Sequence, residues 1–260
     1  MTDSVLSRPG AELAYQIVGD GPFLGYSHGL LLSRAAEDSL GLHDFASLGA
    51  HRRLLRYDAR GHGKSTGPAE PESYLWSELA DDLLALAELG GDGPVDWAGG
   101  SMGTGTLLWA ATRRPQRFRR LVLTIPPTTG PTRAGAMEMY RIWADLVEAQ
   151  GKAPWAQALA QFGKPPIFEE VASFRIDADI TEERLPSVLR GAAMSDLPPA
   201  EALATLTHPT LILAWDTDPG HPISSAEYLA GTLPDATLHI STTADDVRTW
   251  TERIEKFLPG

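Results

Sequence analysis

The chain has 260 residues, 43% of them hydrophobic, a formal net charge of −12 and no cysteine, a composition that fits a large folded core and gives no reason to expect disorder. The acidity excludes nucleic acid and anionic membrane surfaces as expected partners, because both select clusters of Lys and Arg that do not occur here. Without cysteine there is no disulfide or thiolate chemistry, and the seven histidines form no close cluster, so neither a metal nor another cofactor is expected. The start Met1-Thr2-Asp3-Ser4-Val5 has no basic segment leading into an apolar one, and no apolar run approaches the ~18 residues of a membrane span; a cytoplasmic location is expected.

Apolar runs bounded by turn residues alternate with helical spacing along the chain. Strands are predicted at 12–18, 23–27 and 53–58, a helix at 72–89, a strand at 95–98, a helix at 104–112 and a strand at 121–124. From Pro126 to about Pro198 the strand signal stops, and helical stretches appear at 134–149, 153–162 and 181–194. A strand at 210–214, a helix at 224–232, a strand at 237–240 and a helix at 245–258, with Asp245 as its N-cap, complete the chain. This order predicts an α/β fold, a mainly parallel sheet flanked by helices built from residues 1–125 and 199–260. Residues 126–198 are expected to form an all-helical cap lying as a lid over the strand ends.

Gly99-Gly100-Ser101-Met102-Gly103 stands between the apolar run Val95-Asp96-Trp97-Ala98 and the helical stretch from Thr104. Strand, Gly-x-Ser-x-Gly, helix is the order of a nucleophile elbow, a sharp turn that exposes a serine hydroxyl in strained backbone geometry. A side chain at 99 or 103 is expected to collide with the neighbouring strand and helix as the chain reverses. Gly63-Lys64-Ser65-Thr66-Gly67 matches the same string, but Pro68 and Pro71 follow and no helix can start there, so Ser65 reads as a loop serine. A phosphate loop would need a glycine where Asp58 stands, and no nucleotide site is expected.

Three more segments belong with the elbow: Gly25-Tyr26-Ser27-His28-Gly29-Leu30, Asp58-Ala59-Arg60-Gly61-His62-Gly63-Lys64-Ser65, and Leu213-Ala214-Trp215-Asp216-Thr217-Asp218-Pro219-Gly220-His221-Pro222. In that order they resemble the α/β-hydrolase family with a helical cap, and most closely its small bacterial esterases, enol-lactonases and carbon–carbon bond hydrolases. The resemblance implies that Ser101 attacks a carbonyl, that a histidine takes its proton and that an acid orients the histidine. It assigns the oxyanion donors to the backbone amides of Leu30 and Met102. Asp218 matches the acid, with Asp216 as the alternative if it is not simply a solvated loop carboxylate.

The chain departs from the family at its C-terminus. Leu238-His239-Ile240 runs through Ser241-Thr242-Thr243-Ala244 into the last helix, and the loop that usually carries the base has no histidine. His239 falls inside a strand and reads as a sheet histidine held by packing or hydrogen bonds. His221 is the better candidate, because a type II turn over Asp218-Pro219-Gly220-His221 would present acid and imidazole from one loop; the competing reading leaves it exposed beside a turn. His28 and His62 read as parts of structural loops, and His43, His51 and His208 as solvated surface. Met137, Met139, Tyr140, Trp143, Trp155, Phe162 and Phe168 of the cap read mainly as core, with some turned toward a cavity for a partly apolar acyl or cyclic small molecule. A homo-oligomer stays open. Three functions compete: a serine hydrolase of carboxylic esters or lactones; a lyase, cyclase or isomerase on the same scaffold; and a non-catalytic ligand-binding member. The elbow favours the first, and the missing C-terminal histidine feeds the other two.

Overall fold

The structure is a computed structural model and describes residues 3–161, 163–171, 174, 176–218 and 220–258. In chain order the elements are β1 (Ser4–Arg8), β2 (Ala11–Val18), β3 (Phe23–Ser27), α1 (Arg34–Leu40), α2 (Phe45–His51), β4 (Arg53–Tyr57), α3 (Trp76–Ala87), β5 (Val95–Gly100), α4 (Met102–Arg113) and β6 (Phe118–Thr124). The insert follows with α5 (Arg133–Gln150), α6 (Lys152–Gln161) and α7 (Leu185–Ala193). The chain closes with α8 (Ala200–Leu203), β7 (Thr210–Trp215), α9 (Ile223–Thr232), β8 (Ala236–Ser241), α10 (Ala244–Arg248) and α11 (Trp250–Phe257).

The eight strands form one sheet in the order β1-β2-β4-β3-β5-β6-β7-β8. Pairing is antiparallel at β1–β2 and β2–β4 and parallel everywhere else. Parallel strands covered on both faces must be apolar throughout, and β5 and β7 are buried along their whole length. One apolar layer gathers α3, α4 and α9 against the sheet, the other α1, α2 and α11. Winding reverses at β3, so the loops leaving the carboxyl ends of β3 and β5 flank the crevice where open α/β sheets place ligands.

The insert has its own apolar cluster around Ala144, Val147, Trp155 and Leu189, shared with Leu31 and Tyr74 of the sheet layer. Arg133, 2% exposed, donates to the carbonyls of Ala192 and Ser195 and lies 4.4 Å from the centre of the Trp76 ring. That contact ties both stems of the insert to the start of α3. Farther out, Asp179 receives Ser33 Oγ at 2.6 Å and the Gly63 N–H at 2.7 Å, and gives its own N–H to Leu31 O at 2.8 Å. The insert is thereby fastened to the loops after β3 and β4. Of the cap aromatics, Trp155 is buried in the insert's own cluster, Phe168 packs on Trp215 of β7, and Phe162 lies outside the described residues.

Several boundaries differ from the sequence reading. The sequence pattern does not show β1, α1, α2 or α8. The helix expected at 72–89 opens as a 3-10 turn (Pro71–Tyr74), and α3 starts only at Trp76, because Leu75 is extended with ψ 137°. The last helix is two: Thr243, not Asp245, caps α10, and Thr249 interrupts the run. Thr249 Oγ1 binds the Asp246 carbonyl at 2.7 Å, the local side-chain competition that makes threonine a poor helix-interior residue. Among the described residues no helix is long and apolar enough to cross a membrane.

Candidate active site

β5 delivers the chain to Ser101 and α4 carries it away, with the turn held in a backbone region that L-residues rarely adopt: Ser101 has φ 49° and ψ −109°. Its surroundings fix that geometry. Ser101 N–H donates to Thr124 O at 3.0 Å, and Ser101 O accepts from Thr104 and Gly105 at 2.9 and 3.2 Å. A Cβ on Gly99 would stand 2.5 Å from the Gly103 carbonyl, and one on Gly103 would stand 2.2 Å from Ser27 O. Only glycine admits this approach of strand, helix and turn.

The loop after β7 brings His221 to the elbow. Ser101 Oγ lies 2.8 Å from His221 Nε2, and His221 Nδ1 lies 2.8 Å from Asp218 Oδ2. An ionised carboxylate only accepts, so the ring proton sits on Nδ1, and the Nε2 lone pair faces the serine hydroxyl, which donates to it. Asp218 Oδ1 accepts the backbone N–H of Gly220 at 2.8 Å and of His221 at 3.2 Å. Burial pushes the Asp218 carboxyl up, but the facing His221 ring with its N–H and the two backbone N–H groups outweigh it and hold the group below the usual carboxylate range. The expected type II turn falls on Pro219, outside the described residues. Thr217, with φ 65°, carries strain into the same loop.

Gly29 closes the other side: its Cβ position would be 3.6 Å from Ser101 Cβ. The carbonyl of the Gly29–Leu30 peptide accepts from His28 Nδ1 at 2.8 Å and from Leu32 N at 3.2 Å. A trans peptide points its N–H opposite to its C=O, so these bonds fix the direction of the Leu30 amide. Neither this amide nor that of Met102, the first residue of α4, donates to another described residue.

The other sequence candidates sit elsewhere. Asp216 gives its N–H to Ser241 O, and its carboxylate takes no part in these contacts. His239 bonds through Nε2 to Asp246 Oδ2 at 2.8 Å. Ser65 is a structural clip, donating to Asp58 O at 2.6 Å and accepting from Ala14 N at 2.8 Å. His28 has both ring nitrogens engaged, Nε2 accepting from Ala59 N at 2.9 Å. His62 is buried with its Nδ1 on Arg60 O, and burial together with the nearby His28 pushes it down to about 3. His51 is exposed, but two histidines correct the surface reading. His43 is buried among Tyr26, Phe45 and Trp250, and burial pushes it down to about 4. His208 is half-buried and bonds Pro115 O at 2.8 Å. Sequence reasoning missed Glu37, a buried carboxyl on the amide of Gly29; its one available signal was its alignment with Ala36 and Leu40 on the buried side of α1.

A family model described as alpha/beta hydrolase fold matches residues 26–148. The chain is 28% identical over 196 residues, 72% of its length and 69% of the relative's, to 3-oxoadipate enol-lactonase 2 of Acinetobacter baylyi. A hydrolase from Pseudomonas aeruginosa superposes with a TM-score of 0.82 at 26% identity, over 99% of this chain and 98% of that one. The enol-lactonase of Burkholderia xenovorans shares the fold with a TM-score of 0.78 at 21% identity, over 98% and 99% of the two chains. With this sheet, elbow and helical insert, the chain has the α/β-hydrolase fold and is distantly related to enol-lactonases and esterases.

Proposed function

We propose that the protein is a serine hydrolase that cleaves a carboxylic ester or lactone through an acyl-enzyme on Ser101. The observation that carries this reading is the unbroken line Ser101 Oγ, His221 ring, Asp218 carboxylate, with both contacts at 2.8 Å. A serine hydroxyl is a poor nucleophile near neutral pH and needs a base beside it. In this mechanism His221 Nε2 takes the hydroxyl proton as Oγ bonds to the carbonyl carbon. The oxyanion that forms is met by the Leu30 and Met102 amides, and the imidazolium is stabilised by Asp218. As the tetrahedral centre collapses, the proton passes from Nε2 to the leaving alkoxide, which in a lactone stays tethered to the acyl group. Water, deprotonated by the same imidazole, then releases the acid and restores Ser101. The base comes from the acid's own loop, so the absence of a histidine after β8 does not remove the acyl-transfer chemistry.

The test is a fluorophosphonate probe followed by mass spectrometric mapping. An adduct at Ser101, lost in Ser101→Ala and in His221→Ala with folding intact, is expected. An adduct at Ser65, or full turnover of an activated aryl ester by Ser101→Ala, overturns the reading.

A further inference from the structure

Behind the oxyanion loop stands a buried carboxyl that the chemistry above leaves unused. Glu37, on α1, is 3% exposed. Its Oε1 accepts from the Gly29 N–H at 3.3 Å and its Oε2 from the Tyr26 hydroxyl at 3.3 Å. The Tyr26 hydroxyl in turn lies 3.2 Å from where a Cβ on Gly100 would stand, directly behind the residue that precedes Ser101. One carboxyl therefore reaches both arms of the oxyanion site: directly at the amide next to Leu30, and through the Tyr26 hydroxyl at the end of β5 that presents Ser101 and Met102.

Burial with no cation in hydrogen-bond contact among the described residues suits a neutral carboxyl. The surroundings point the same way. From β4, Arg56 faces this region, but its guanidinium binds Asp38 Oδ1 and Arg34 O, each at 2.7 Å. Asp38 on α1 is a like charge. Arg34, on the same helix, is committed to Asp58 and Asp3. From β3, Tyr26 is held protonated by burial. His28, beside the loop, and His43, against Tyr26, are pushed toward their neutral forms by burial. Burial accordingly pushes the Glu37 carboxyl up to about 7, against the Gly29 N–H, Arg56 and the Tyr26 hydroxyl.

We propose that Glu37 is a positioning residue for the oxyanion loop: as a neutral carboxyl it holds the Gly29 amide, and its ionisation weakens stabilisation of the tetrahedral oxyanion. The proposal rests on the reading of Ser101 as the acylated residue. Through Gly29 the carboxyl lies within ~10 Å of Ser101 Cβ. At an effective dielectric constant of ~20, a second negative charge at that range slows oxyanion formation by about tenfold.

The experiment is the pH dependence of kcat/KM for an activated aryl ester in wild type, Glu37→Gln and Glu37→Ala, alongside phosphonate labelling at Ser101. An infrared titration of the protonated carboxyl band, assigned by its disappearance in Glu37→Gln, runs in parallel. Wild type is expected to lose about tenfold in kcat/KM as pH rises through neutrality, carried by kcat with KM little changed. The midpoint of that loss should match the infrared titration. Glu37→Gln, an isosteric acceptor without charge, should keep the neutral-pH rate and lose the alkaline decline, whereas Glu37→Ala should lose rate at every pH. The proposal is overturned by an alkaline decline that persists unchanged in Glu37→Gln, by a wild type without one, or by a carboxyl ionised across the range. If labelling at Ser101 occurs while those profiles coincide, only the role of Glu37 falls. If no variant labels, the Ser101 reading falls and takes the proposal with it.

Discussion

Asp218 grips His221 at two points, with Oδ2 on the ring Nδ1 at 2.8 Å and Oδ1 on the histidine's own backbone N–H at 3.2 Å. Ring and main chain of the same residue are thus set by one carboxylate, and the aim of the imidazole at Ser101 depends on that side chain keeping two acceptor oxygens.

Replacing Asp218 with Asn puts an NH2 donor against Nδ1 and turns the ring to the tautomer with its proton on Nε2, which cannot accept from Ser101. Ester turnover near neutral pH should fall by about 10³–10⁴-fold in Asp218→Asn, with thermal stability nearly unchanged. Asp216→Asn should turn over as wild type does. Steady-state kinetics on the two variants decide the matter, and the opposite ranking would move the orienting role to Asp216.

Acid should destabilise the fold through its buried histidines. His43 is pushed down to about 4, below its unfolded value of about 6.5. Its neutral form therefore supports the folded state fully above about pH 6.5, and that contribution is lost as pH falls toward 4. The loss amounts to about 1.4 kcal/mol per pH unit, or about 3 kcal/mol across the window. His43→Phe, which keeps an aromatic ring among Tyr26, Phe45 and Trp250, should flatten the curve by one proton. Urea unfolding between those pH values would show parallel curves for the two proteins if His43 were not buried and neutral.

Two glycine substitutions should differ in sign. Gly103→Ala sets a methyl 2.2 Å from the Ser27 carbonyl and should cost about 2–4 kcal/mol, since backbone rather than a side-chain tip must move. Gly231, inside α9, has nothing within 4 Å of its Cβ position, and Gly231→Ala should gain about 0.5–1 kcal/mol. Thermal unfolding of both variants checks the pair; equal effects would mean that the elbow is less tightly packed than these distances require.

What the sequence made legible was whatever the chain encodes locally. The elbow could be read because strand, glycines and helix are contiguous, and Asp218 and His221 because they share a loop. The helix α1 could not be read, because its buried positions include Arg34 and Glu37, whose partners Asp58 and Tyr26 lie just after β4 and on β3. A charged residue in a pattern reads as surface until tertiary contacts show otherwise. His43 misled for the same reason, since its ring cage comes from β3, α2 and α11. The strand β1 has little apolar signal of its own and exists through its ladder with β2.

The join between acid and base on the β7 loop also changes what the far edge of the sheet can tolerate. β8 is the outermost strand on its side, pairs only with β7 and is buried only at Ser241, so local fraying should begin there. None of the contacts among Ser101, His221 and Asp218 passes through β8 or the helices after it. Opening of that edge would break the Asp216 N–H bond to Ser241 O at the root of the β7 loop, but none of the contacts that join these three side chains.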